Sequence, residues 1–198
     1  YILALAMGAG KTILVASIIA TEFAMALEYQ DKDGIFVRNA LVFAPGKTIL
    51  GEAMLFNGGI IERRGTIEGK NTTSDYRPIE HENGNSIYSS VLYTEYQNKK
   101  INIIDTPGLD DFSGGVISSL YAVDLALMVI NVQNGVEVGS EIHFRHAEKV
   151  EKPMIFVING LDHEKANFDK SVEMMRERLT NNLILVQYPL NEGVGFNS

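Results

Sequence analysis

The pentapeptide GKTIL occurs twice in this chain, at Gly10 to Leu14 and at Gly46 to Leu50. Gly-Lys-Thr after a tight turn is a phosphate-binding arrangement. Backbone N–H groups wrap the phosphate oxygens, the lysine reaches the terminal phosphates, and the threonine hydroxyl takes a divalent cation. The complete loop reads G-x-x-x-x-G-K-[ST]. The first copy, AMGAGKT, is the better formed and offers Gly8, Gly10, Lys11 and Thr12. The second, LVFAPGKT, offers Gly46, Lys47 and Thr48, but Leu41 stands at the first glycine position and Pro45 has no N–H to give.

Two later stretches carry compatible chemistry. INIIDTPG is an apolar run ending in Asp105 and closing on Gly108. A strand-terminal Asp can hold a cation-bound water, and a glycine N–H can approach a terminal phosphate with no side chain in the way. The plainer alternative is a strand followed by a Pro-Gly turn. FVINGLD places Asn159 and Asp162 at the spacing of a guanine-reading N-K-x-D loop, where a carboxylate accepts from both N1–H and the N2 amine. His143 and His146, with Glu141 and Glu148 nearby, read as a solvated helix face and not as a metal site.

The elements that must carry these residues alternate. Apolar runs at 1–6, 40–44, 101–105, 125–131, 154–158 and 183–187 read as strands. Helices are expected over 11–28, from 46 onward, near 139–150 and near 168–181, and a hairpin joins 86–96 to 101–105 through Asn98 and Lys99. Buried strands alternating with helices predict an α/β chain with a mainly parallel sheet, whose ligands sit beyond the carboxyl ends of the strands. Five of these strands, 40–44, 101–105, 125–131, 154–158 and 183–187, should share that sheet, with 86–96 as the antiparallel edge. Residues 57–85 are polar and glycine-rich and read as a long functional or mobile loop.

Composition narrows the field. The chain has 198 residues, 45% hydrophobic and 21% charged, enough for one sizeable domain. A formal net charge of −8 argues against a bulk-electrostatic nucleic-acid binder. With no cysteine there is no disulfide, thiolate nucleophile or Cys-ligated zinc, which fits the cytosol. The apolar opening is broken by Lys11 and followed by Glu22, so neither a membrane span nor a signal peptide is expected, and the start at Tyr1 reads as that of a fragment.

From about Gly46 to Ser198 the order GKT, long polar loop, D-T-P-G, N-x-x-D resembles a translational GTPase, in particular the GTP-binding domain of elongation factor G. RRGTIEGKNTTSDYRPIEHENGNSI is similar to that family's first switch and IDTPGLDDF to its second. The resemblance implies a P-loop NTPase fold in three layers, with GTP and Mg2+ as ligands. It also implies a cytoplasmic place in translation elongation, with the guanine nucleotide and the ribosome as partners and no membrane. Direct nucleic-acid contact is not expected of this stretch. Lys47 would meet the phosphates, Thr48 and Ser86 the magnesium, Asp105 and Gly108 the γ-phosphate, and Asn159 and Asp162 the base. The stretch stops short of the family's last guanine-contacting loop and of its ribosome-docking domains.

The chain departs from the pattern at three places. Ser86 stands for the switch threonine and keeps its hydroxyl. Gly160 stands for the lysine of N-K-x-D. Leu109 stands for the histidine that orients the attacking water, and leucine offers no hydrogen bond. A divergent, hydrolysis-poor GTPase with no assigned catalytic residue is the expectation. Residues 1 to about 50 resemble instead the motif I region of type III restriction enzyme and superfamily 2 helicase subunits, and imply ATP at Gly8, Gly10, Lys11 and Thr12. The chain therefore reads as a mosaic, with a helicase-like segment at 1–45 and an incomplete GTPase domain at 46–198. An ATP-binding helicase fragment and an inactive chimera are the alternatives.

Overall fold

The computed structural model describes residues 2–4, 39–43, 47–96, 99–108, 110–194 and 196. Six strands form one sheet: β1 (Ile2–Ala4), β2 (Asn39–Phe43), β3 (Ser90–Tyr96), β4 (Lys99–Asp105), β5 (Leu125–Asn131) and β6 (Met154–Asn159). Their order across the sheet is β1-β6-β5-β2-β4-β3. β2 lies between β4 and β5, parallel to both, and β5 is parallel to β6. β3 runs antiparallel to β4, pairing Ser90 with Asp105 and Tyr96 with Lys99. The expected parallel sheet with one antiparallel edge is therefore present. The hairpin turn at Gln97 and Asn98, the helix expected over 11–28, and Gly8, Gly10, Lys11, Thr12, Gly46 and Leu109 lie outside the described residues.

The strand expected at 183–187 is not among the described strands: Leu185 makes only an isolated β-bridge, and Leu183 is buried while Ile184, Leu185 and Val186 are exposed. β1 pairs in parallel with β6 at that edge, Ile2 against Phe156 and Ala4 against Ile158. An apolar run supplies strand propensity but does not choose its neighbour; the edge of β6 takes one strand, and the described partner is β1.

The helices are α1 (Lys47–Asn57), α2 (Pro78–Asn83), α3 (Ser113–Ala122), α4 (Val138–Lys149) and α5 (Phe168–Arg178), with a short 3₁₀ turn at Asp110–Phe112 before α3. β5 is buried over its whole middle, as a strand covered on both faces must be. On one face Ala126, Met128 and Ile130 pack with Phe156 and Ile158 of β6, Val116 and Leu120 of α3, Phe144 of α4 and Phe168 and Met175 of α5. α1 is almost wholly interior: Leu50, Ala53, Met54 and Leu55 are all at most 2% exposed. Burial runs from Leu50 to Leu55 and includes Glu52, while Phe56 is exposed. Thr94 of β3 ties it to the sheet by donating to the carbonyl of Met54 at 2.8 Å.

α4 turns its histidine differently from expectation. His143 is buried beside Phe144 and Ala147 on the inner face, because the helix repeat puts positions 143, 144 and 147 on the core side. The polar face belongs to Glu141, which pairs with Arg145 at 3.6 Å and with Arg178 of α5 at 2.5 Å.

Candidate functional site

Because β2, β4, β5 and β6 are mutually parallel, their carboxyl ends lie along one edge of the sheet, and the chemistry-bearing loops leave from that edge. After β2 the chain enters α1 at Lys47, so Thr48 sits in the first turn, at the positive end of the helix dipole. After β4 come Asp105, Thr106, Pro107 and Gly108; the first three are buried, and Gly108 is half-buried. After β6 come Asn159 and the turn that holds Asp162. β5 separates β2 from β6, so the loop at Asn159 lies two strand spacings, on the order of 10 Å, from Thr48.

Thr48 is buried, and its hydroxyl lies 3.4 Å from the hydroxyl of Ser86, which is also buried. These two residues are 38 apart in sequence, and only their types and motif positions suggest them as cation ligands. The structure brings them together. It adds a group that the sequence did not single out: Thr48 Oγ1 donates to Oδ2 of Asp75 at 3.1 Å. Asp75 is buried as well, and the hydroxyl of Ser74, one residue before it, is buried without a hydrogen-bond partner among the described residues. Two hydroxyls and a carboxylate form a hard-oxygen set of the kind a small divalent cation takes.

The polar loop before Ser86 is not structureless. Two glutamates, each 2% exposed, organise it. Glu52 of α1 accepts from the N–H of Gly65 at 2.7 Å and from the N–H of Thr73. Glu80 of α2 accepts through Oε2 from Arg77 N–H at 3.3 Å, and through Oε1 from Ile87 and Tyr88 N–H at 3.0 and 3.1 Å. His81 Nε2 meets the carbonyl of Asp75 at 2.7 Å, and Ser90 Oγ donates to the carbonyl of Ser74 at 2.7 Å. The loop therefore lies against α1 and β3, with a short helix inside it, because buried carboxylates collect its amides. Composition hid this. Glutamates read as solvent-facing, and nothing local shows that Glu52 falls on a buried helix.

At the other end of the edge, Asn159 accepts from the N–H of Gly160 at 2.8 Å, and Gly160 holds φ +85°. Gly160 turns the chain so that Asp162 emerges exposed two residues later. His163 N–H donates to the carbonyl of Gly160 at 3.1 Å and closes the turn. Asn159 thus anchors the loop internally, while the Asp162 carboxylate is open to solvent.

This is the architecture of a P-loop nucleotide-binding domain: a mainly parallel sheet with β2 inside it, a helix starting at Lys47 after β2, and the loops that follow β4 and β6 at the same sheet edge. Residues 37–196 match the model of the elongation factor Tu GTP binding domain, and the chain belongs to that family. It is 33% identical over 151 residues to an elongation factor G-like protein of Thermotoga maritima, covering 76% of this chain and 21% of the relative. It is 39% identical over 154 residues to peptide chain release factor 3 of Enterococcus faecalis, covering 76% and 29%. A crystal structure from Thermus thermophilus superposes with a TM-score of 0.74 at 30% identity, over 80% of this chain and 24% of that one. The chain thus spans about a fifth to just under a third of the curated relatives it matches, and it is a GTP-binding domain of the translational GTPase type.

Proposed function

We propose that this domain binds guanine nucleotide with Mg2+ at the carboxyl edge of its sheet, and serves as the nucleotide module of a cytoplasmic elongation factor G-like protein that works on the ribosome. One observation carries the reading: Thr48, at the start of the helix that follows the central strand, has the hydroxyl of Ser86 3.4 Å away and the Asp75 carboxylate 3.1 Å away. In the proposal Lys47 and Gly46 meet the phosphates, and Asp105 and Gly108 face the terminal phosphate. Thr48 and Ser86 hold Mg2+, which would supply charge neutralisation to the phosphates when bound. Asn159 shapes the base loop and Asp162 reads guanine. Among the described residues no helix is long and apolar enough to cross a membrane, which is compatible with this placement.

Hydrolysis is proposed to be slow. Phosphoryl transfer relies on positioning and electrostatics. This chain has Leu109 where a water-orienting histidine is expected, and Pro45 where the loop should offer an N–H. The helicase-like character of residues 1–45 and the division at 45/46 remain part of the proposal; β2, before that division, is central to the sheet.

Side-by-side titration with fluorescent GTP and ATP analogues tests it. Guanine preference that needs Lys47 supports the reading. ATP binding that survives Asp162→Ala and vanishes with Lys11→Ala would move the site to the first GKTIL copy. Binding of neither would make the chain an inactive chimera.

A further inference from the structure

We infer that Glu80 is a positioning residue for the cation site: its carboxylate holds the segment 77–88 closed so that the Ser86 hydroxyl faces Thr48. The inference rests on the reading above that Thr48 and Ser86 take Mg2+.

The geometry begins with α2, which has only six residues and opens on Pro78, so it cannot persist on helix propensity alone. Glu80 stabilises it locally, since Oε2 takes the N–H of Arg77 at the entrance to the helix. Gly84 then adopts φ +65°, with its N–H on the carbonyl of Glu80 at 2.8 Å, and the chain reverses. The reversal brings residues 87 and 88 back over Glu80, whose Oε1 takes both of their N–H groups. Those are the two residues directly after Ser86. From outside, the Arg77 guanidinium lies 4.0 Å from the centroid of the Tyr88 ring and closes the same two ends of the segment.

One buried carboxylate thus joins the entrance of α2 to the backbone just beyond Ser86. Asn83, Gly84 and Asn85, between them, are exposed, and their side-chain bonds stay within the segment, Asn83 Nδ2 on the carbonyl of Ile79 and Asn85 Nδ2 on the carbonyl of Asn83. Ser86 reaches Thr48 because the chain on either side is fixed, and on its C-terminal side the fixing group is Glu80. Residues that orient a ligand without touching the metal typically change metal affinity by about ten- to a hundredfold when altered.

The test uses the full chain and mant-GDP. Binding is titrated against MgCl2 and repeated in EDTA for the parent and for Glu80→Gln. The substituted amide can satisfy only one side of the clamp, since its NH2 cannot accept an N–H. Hydrogen exchange is followed at the amides of Ile87 and Tyr88. The expected result is an increase of about tenfold in the Mg2+ concentration for half-maximal effect, unchanged affinity in EDTA, and faster exchange at both amides. Arg77→Ala, which leaves the buried clamp intact, should move the Mg2+ requirement the same way by about two- to fivefold, and it carries the test should Glu80→Gln fail to fold. Faster exchange with an unchanged Mg2+ requirement overturns the inference, as does an equal loss of affinity with and without Mg2+, which marks a merely structural role. If the parent itself shows no Mg2+ dependence while binding mant-GDP, the cation reading of Thr48 and Ser86 fails first and the inference falls with it.

Discussion

At the scale of single residues, two positions separate recognition from architecture. Asp162 is exposed at the end of a turn whose other polar member, Asn159, is already engaged with the N–H of Gly160. Its carboxylate is therefore available to a base without breaking anything in the fold. Asp162→Ala should leave the melting temperature unchanged and remove the preference for guanine over adenine, a loss of about 1–3 kcal/mol on the scale of bidentate base contacts. Competition of GTP and ATP against a fluorescent guanine nucleotide measures it. Gly65 behaves in the opposite way. A Cβ there would lie 2.3 Å from the carbonyl oxygen of Asn71 and 2.7 Å from the Cα of Thr72, both backbone atoms that cannot rotate aside. Its N–H is also one of the two that Glu52 collects. Gly65→Ala should destabilise the domain by about 1–3 kcal/mol, the range for overpacking, and should speed amide exchange at Thr73. Thermal denaturation with hydrogen exchange checks both.

At the scale of elements, the stretch after α5 shows how an irregular segment is held without a ladder. Glu192 accepts from the N–H of Phe168 at 2.7 Å and so caps the start of α5 from a distance. The Tyr188 hydroxyl donates to the Asp169 carboxylate at 2.8 Å, and the Tyr188 ring meets that of Phe168 edge-on with centroids 5.1 Å apart. The hydrogen bond to Asp169 is the main reason that the phenol ionises above its usual value of 10.0. The sign follows from the donor: the neutral phenol makes the bond, so the contribution is complete below pH 10 and is lost as pH rises through the raised value. Tyr188 is exposed, and the effect on global stability should be slight. Absorbance titration of tyrosinate should show one component displaced to higher pH, and Asp169→Asn should bring it back.

For the whole molecule, the slow turnover proposed above rests on two deficits that lie on different loops. The loop at Pro45 lacks N–H donors that would steady charge on the phosphates, and Leu109 lacks a group to orient water. A lost preorganised donor typically costs about a hundred- to thousandfold in rate, and the deficit at Pro45 should dominate because it weakens nucleotide binding as well as turnover. Leu109→His alone should then leave GTP hydrolysis at the parent's slow rate. Rebuilding Phe43-Ala44-Pro45 into a full G-x-x-x-x-type loop should raise nucleotide affinity first, and only in that background should Leu109→His accelerate hydrolysis. Phosphate release under single-turnover conditions measures each step; brisk hydrolysis by the parent chain would contradict the proposal and point to Lys11 as the phosphate ligand.

Much of this molecule is legible from its amino-acid order alone. Continuous apolar runs ending in Asp105 and Asn159 name buried parallel strands and the loops at their carboxyl ends, because burial on both faces demands apolar residues throughout and function collects where such strands stop. The GKT step, D-T-P-G and N-x-x-D suggest their chemistry by residue type, and the family they point to is the one whose model matches residues 37–196. Tertiary structure decided three matters that are not local. Among the described strands it placed β1 beside β6, since strand propensity does not choose a neighbour. It buried Glu52, Asp75 and Glu80, whose types predict exposure, because a polar side chain can enter the interior once distant backbone amides or hydroxyls meet it, and it turned His143 inward with the core face of its helix. And it set Ser86 within 3.4 Å of Thr48 across 38 residues, a distance made by the folding of the intervening loop around two carboxylates and encoded in no short stretch of chain.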